Sequence, residues 1–199
     1  MFQPKILLLW LAAASGVFGL PRSADAQFLP RSVHTAAESG AARHGRTAAT
    51  ARNASSYEGR VTDVHDGDTV RITDTHGAKH KIRLAYIDAP ETDQAYGLAS
   101  RNRLSGLILG KTVQVRVTDT DQYGREVAYL RADGADVNLG QIEAGAAWHY
   151  VSIAKKQQDK TDYAAYAQAE AEARRSRAGL WQKRDAVAPW KFRWQQRRQ

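Results

Sequence analysis

Two aspartates flank a glycine in Asp66-Gly67-Asp68-Thr69, and a second acidic run, Asp88-Ala89-Pro90-Glu91-Thr92, closes a segment that also carries Arg83. A third cluster, Tyr123-Gly124-Arg125, lies further along the chain. Carboxylate oxygens such as those of Asp68 and Asp88 suit a hard cation, calcium or magnesium. The guanidinium forks of Arg83 and Arg125 can each grip two phosphate oxygens, which a lysine cannot do. A carboxylate such as Glu91 can orient or deprotonate a water molecule. Together these are the parts needed to hydrolyse a phosphodiester: charge neutralisation, a delivered water and a held backbone.

Singly, each cluster also has an ordinary structural reading. Asp-Gly is a common turn, acidic residues favour the start of a helix, and Tyr-Gly-Arg is ordinary hairpin chemistry. Strand alternation does not by itself unite them. Arg83 and Asp88 are an odd number of positions apart, so a bend or bulge must intervene before both face one site.

The chain of 199 residues contains no cysteine, which excludes disulfides, a thiolate metal site and a cysteine nucleophile. A hydrophobic share of 43% is enough for a core. At the start, Lys5 precedes an apolar run over residues 6–20, then Ala24-Asp25-Ala26 forms a small-x-small cleavage signature. Residues 1–26 are therefore expected to be an export signal, and the mature protein secreted or periplasmic. The run falls short of the roughly 20 residues of a membrane span, so contact with a membrane is expected only if the signal stays uncleaved. Residues 27–56, rich in Ala, Ser, Thr and Arg, read as a disordered linker. The formal charge of +8 sits in the flanks, whereas residues 57–182 are close to neutral. Basic flanks raise affinity for phosphate backbones or simply maintain solubility.

Strands are expected over residues 59–64, 69–73, 79–87, 112–117 and 127–131, joined by polar turns. Helices are expected over 95–109, with Leu98, Leu104, Leu107 and Ile108 on one face, over 137–144, and from about 157 to 177. Five short strands followed by helices suggest an α+β domain: a small antiparallel β-barrel of the oligonucleotide-binding type with about three packed helices. Residues 183–199 form a basic aromatic tail. Its Pro189-Trp190-Lys191-Phe192-Arg193-Trp194 reads as a strap whose aromatics pack on the domain, the other reading being a nucleic-acid stacking stripe.

The runs Val64-His65-Asp66-Gly67-Asp68-Thr69-Val70, Ile82-Arg83-Leu84-Ala85-Tyr86-Ile87-Asp88-Ala89-Pro90-Glu91-Thr92 and Asp121-Gln122-Tyr123-Gly124-Arg125-Glu126-Val127-Ala128-Tyr129 resemble the thermonuclease (staphylococcal nuclease-like) family. They occur in family order and at family-like separations. The resemblance continues through Asp136-Val137-Asn138 and Gly145-Ala146-Ala147-Trp148 to Gly179-Leu180-Trp181, and so spans residues 57–182. It implies that Asp68 and Asp88 are ligands of one calcium ion (Ca2+), helped by the backbone carbonyl of Ala89, with Asp66 just outside that set. It further implies that Arg83 and Arg125 bind the phosphate and stabilise transition-state charge, and that Glu91 is the general base or water-positioning group. Family members cut the 5′ P–O bond of DNA and RNA, leaving 3′-phosphate ends, and Trp148 and Tyr150 would stack on a base. Ala89 stands where the family often has threonine, and residues 92–97 are short beside the long surface loop of some members.

The expectation is thus a monomeric, exported, calcium-dependent endonuclease acting on DNA and RNA, without an obligate protein partner. Phosphate contacts carry no sequence information, so low specificity follows. Two rivals differ in class. A binding-only member of the fold would have lost some of Asp68, Arg83, Asp88, Glu91 and Arg125, and all five are present. A calcium-binding adhesion protein would not need Arg83 and Arg125 beside the carboxylates. The histidines, His65, His80 and His149 among them, show no ligand-pair spacing, and Asn53-Ala54-Ser55 matches a glycosylation acceptor that is frequent by chance.

Overall fold

The computed structural model describes residues 55–198. The expected signal, nearly all of the expected linker and the Asn53 acceptor lie outside the described residues. Among those described, no helix is long and apolar enough to cross a membrane.

Five strands form the barrel: β1 (Ser56–Val64), β2 (Thr69–Asp74), β3 (Lys79–Leu84), β5 (Thr112–Thr120) and β6 (Glu126–Ala132). They run in the order β3-β2-β1-β5-β6, and a pairing of β3 with β6 closes the cylinder. The expected barrel was antiparallel throughout, but that closing pair is parallel, with Arg83 opposite Val127 and Leu84 opposite Ala128. A parallel contact is possible because β6 reaches β3 only after the chain has passed through α1 (Gly97–Ile108) and β5. Strand alternation turns Val61, Val70, Ile72, Ile82, Leu84, Val113, Val115 and Leu130 inward, all fully buried. Each such side chain contributes about 1.5–3 kcal/mol, so the barrel rather than its ion pairs holds the scaffold.

The strand expected to run through residue 87 ends at Leu84, and residues 85–86 form a turn. Tyr86 adopts a left-handed conformation (φ 62°). The chain then resumes as the two-residue β4 (Ile87–Asp88), paired with β8 (Trp148–His149). This is the bend that the odd spacing of Arg83 and Asp88 required. In α1 the expected Leu104 and Ile108 are buried and Leu107 packs partly buried on the core, but Leu98 is exposed and Gly97 and Ser100 complete the buried face instead. Small residues win there because the helix presses on backbone. A Cβ on Gly97 would stand 1.7 Å from the Glu91 carbonyl oxygen, and the Ser100 hydroxyl donates to the Ala146 carbonyl at 2.7 Å.

After the short β7 (Ala135–Asp136), α2 (Val137–Glu143) begins where Asp136 Oδ1 caps the amide of Leu139. The helix expected from about 157 to 177 is α4 (Lys160–Arg175), and an unexpected short helix, α3 (Val151–Gln157), precedes it. Asp159 separates the two by accepting hydrogen bonds from the amides of Thr161 and Asp162 as the N-cap of α4. A 3-10 turn (Gly179–Gln182) follows. The tail then forms a fifth helix, α5 (Pro189–Gln196), with proline at its first position. The aromatic strap is therefore helical, and it does pack on the domain: Trp190 meets Trp148 edge-on at 5.5 Å and stacks on Tyr150 at 5.6 Å.

Candidate active site

The mouth of the barrel opens into a cleft of about 680 Å³ whose lining includes Asp66, Asp68, Arg83, Asp88, Glu91 and Arg125. Register explains how the first four meet. Thr69 pairs with Arg83 across β2 and β3, and the Leu84 amide donates to the Asp68 carbonyl at 2.8 Å, so Asp68 lies beside the end of β3. The Tyr86 bend then returns Asp88 to the same face.

Arg83 ties the two carboxylates together. Its Nη1 lies 2.7 Å from Asp68 Oδ2 and its Nη2 donates to Asp88 Oδ1 at 2.7 Å. The Ala89 amide donates to Asp68 Oδ2 at 2.6 Å, so this residue meets the site through its N–H as well as lining the cleft. Asp66 Oδ1 accepts the amide of Asp68 at 2.9 Å, which shapes the connecting loop. Gly67 is required inside that loop, because a Cβ there would stand 1.9 Å from the Ser100 hydroxyl. Burial pushes the Asp68 carboxyl up to about 7, against the pull of Arg83. Burial likewise raises Asp88, opposed by Arg193 and Arg83. For Arg83, burial works against its charge, but Asp68 and Asp88 outweigh it and hold the guanidinium above its ordinary range.

Arg125 comes from the β5–β6 turn. Asp121 Oδ1 accepts the amides of Tyr123 and Arg125, and Asp121 Oδ2 takes Arg125 Nε at 2.7 Å. Only the Nε edge of the guanidinium is used in that salt bridge. Tyr150 also lines the cleft. Trp148 does not: it packs edge-on against Trp181 at 4.3 Å, beneath the Arg174 guanidinium, beside a separate cavity behind α5.

Three residues unassigned by sequence reasoning matter here. Asn138 is fully buried and joins the Tyr86 bend to the barrel. Its amide donates to the carbonyls of Ala85 and Ala128, and its oxygen accepts the Leu130 amide. Gln141, one turn further along α2, donates to the Gly67 carbonyl at 2.8 Å and so steadies the acidic loop. Polar residues one turn apart on the apolar face of a short helix were the available signal. Arg193, from α5, is the third. Its Nη1 donates to Asp88 Oδ1 at 3.1 Å and Glu91 Oε1 at 2.7 Å, and its Nη2 to Asp88 Oδ2 at 2.8 Å.

Among the described residues no three His, Cys, Asp or Glu side chains converge as a metal cluster. The physical reason is that Arg83 and Arg193 stand between the carboxylates. The donor chemistry nevertheless fits a hard divalent cation. Asp68 and Asp88 meet the two terminal nitrogens of one guanidinium, so one ion could be shared between them.

A family model described as staphylococcal nuclease homologue matches residues 81–183. An uncharacterized endonuclease of Escherichia coli O157:H7 is 42% identical over 136 residues, covering 68% of this chain and 84% of that protein. A micrococcal nuclease of Shigella flexneri is 38% identical over 146 residues, 69% of this chain and 80% of that protein. A staphylococcal-like nuclease of Arabidopsis thaliana is 36% identical over 115 residues, 58% of this chain and 33% of that protein. The chain belongs to the staphylococcal nuclease family.

Proposed function

We propose that the protein is an exported, calcium-dependent endonuclease that hydrolyses DNA and RNA, with low sequence preference, as a monomer. One observation carries this reading: Arg83, Asp68, Asp88 and Glu91 meet on one wall of a cleft that Arg125 also lines. Family membership and the nuclease relatives support hydrolysis of phosphodiesters. Export is supported only by the charged, apolar and small-residue pattern of residues 1–26.

Asp68 and Asp88 would hold the calcium ion, which supplies positive charge against the phosphate. Arg83 and Arg125 grip phosphate oxygens through charge-assisted hydrogen bonds that strengthen as negative charge develops. Glu91 takes a proton from the attacking water, and the new bond forms between that water oxygen and phosphorus. The bond from phosphorus to the 5′ oxygen breaks, and that oxygen leaves and takes up a proton from solvent, so the phosphate stays on the 3′ side. Tyr150 offers a ring at the cleft wall for a base to lie against.

The test is cleavage of end-labelled single-stranded DNA and RNA by the purified protein with calcium, with magnesium and with a chelator. Calcium-dependent fragments ending in 3′-phosphate are expected. Binding without cleavage in every metal would replace this reading by a nucleic-acid-binding module.

A further inference from the structure

Arg193 holds carboxylate oxygens that the cation of the proposed function would use. Asp88 Oδ1 is shared by Arg83 Nη2 and Arg193 Nη1, and Asp88 Oδ2 is taken by Arg193 Nη2. The same guanidinium reaches Glu91 Oε1 at 2.7 Å. For Asp88 to coordinate a cation, one guanidinium has to give way. Arg83 rises from a central barrel strand and is fixed by two carboxylates, with 14% of its side chain exposed. Arg193 sits near the end of the short terminal helix with 36% exposed, so less structure is disturbed when it leaves. A divalent ion also brings twice the charge of a guanidinium to the same two anionic oxygens.

We propose that Arg193 is the affinity-determining residue of the cation site, an internal competitor that the cation displaces from Asp88. This rests on the reading that Asp68 and Asp88 hold a divalent cation. The displacement has a second consequence: the group that leaves Asp88 also leaves Glu91, so loading the cation frees the carboxylate that handles water. Cation binding and activation of the base are one event. α5 is held at its other end, where Gln94 Nε2 donates to the Val187 carbonyl at 2.6 Å and Trp190 stacks on Tyr150. Release of Arg193 therefore needs a side-chain swing rather than loss of the whole tail.

The test is calorimetric titration of the full protein with calcium, comparing the parent with Arg193→Ala, Arg193→Lys and Arg197→Ala. Removing Arg193 is expected to tighten calcium binding by about tenfold, the equivalent of one charge-assisted hydrogen bond. Lysine lacks the fork needed to hold both Asp88 oxygens and Glu91, and is expected to fall between parent and alanine. Arg197 lines the same cleft, so its replacement reports the general effect of lost charge and is expected to change affinity by less than about twofold. Parent binding with an unchanged or weaker Kd in Arg193→Ala would overturn the inference alone, as would an equal gain in Arg197→Ala. No calcium binding by any of the four would overturn both the inference and the cation reading. Unfolding midpoints of the variants, measured in chelator, separate these outcomes from misfolding.

Discussion

Two arginines reach Asp88 from opposite regions of the molecule, and they are held very differently. Arg83 stands on β3 within the barrel, clamped between Asp68 and Asp88 and mostly buried. Arg193 arrives from α5, is more than one-third exposed, and rests on Asp88 and Glu91 from the solvent side. The barrel side is fixed by strand register and by the buried amides of Asn138 and Gln141. The tail side is fixed by ring contacts and one hydrogen bond to backbone. The contrast teaches that a site can be rigid in one wall and replaceable in the other, with a single carboxylate belonging to both.

The strongest way to break that comparison is to delete each arginine in turn. Arg83→Ala leaves buried Asp68 without its arginine and Asp88 with Arg193 alone, and is expected to cost about 3–5 kcal/mol of stability in chelator. Arg193→Ala removes two ion pairs from the solvent side but leaves Asp88 with Arg83, and is expected to cost about 1–2 kcal/mol. Urea unfolding of both reads the difference, and equal losses would show that the two walls are equally structural.

A smaller effect sharpens the account of the barrel side. Asn138→Ala removes the side-chain partner of the Ala85 carbonyl and of the Leu130 amide and leaves the Ala128 carbonyl with the Ala85 amide alone, which is expected to cost about 2–3 kcal/mol. Its cleavage rate, measured well below the melting midpoint, is expected to fall as well, because the bend that aims Asp88 loosens. A rate equal to the parent's would mean that Asn138 supports the fold without positioning the site.

The smallest effect lies away from the cleft, on the barrel wall. His80 Nδ1 lies 2.9 Å from Glu126 Oε1, and its Nε2 lies 3.4 Å from Asp74 Oδ2. Burial works against the imidazolium, but Glu126 and Asp74 outweigh it and raise His80 above its ordinary 6.5. A raised folded value means that the stabilisation is complete below the unfolded value and fades as pH rises through the folded one. Urea midpoints at about pH 6 and about pH 8 are expected to differ more in the parent than in His80→Gln. The same slope in both proteins would assign the pH dependence elsewhere.

Much of the barrel was legible because period-2 alternation and turn residues are local signals. The acidic loop and Arg125 were legible as clusters because each sits on a turn between strands. Tyr86 shows the limit: a non-glycine residue in a left-handed conformation leaves no mark in the sequence, although the odd spacing of Arg83 and Asp88 demanded some bend. The start of α4 had a readable cause in Asp159, just inside the start of the expected segment, whereas α3 carried no expectation. Leu98 misled because hydrophobicity points to a buried face, while close backbone contact selected Gly97 and Ser100. Arg193 had no local signal. Its partners lie more than 100 positions away, at a separation of 105 from Asp88, and no periodicity relates residues that far apart.

The central claim is that the carboxylates and arginines at the mouth of the barrel hydrolyse phosphodiesters with Glu91 handling the water. The most direct measurement is the calcium-supported rate of single-stranded DNA cleavage by the parent and by Glu91→Gln, which keeps the side chain's size and removes its basicity. The account predicts a loss of about 10²–10⁴-fold, the usual contribution of a general base, with the melting midpoint nearly unchanged. A Glu91→Gln protein that cleaves as fast as the parent would contradict it.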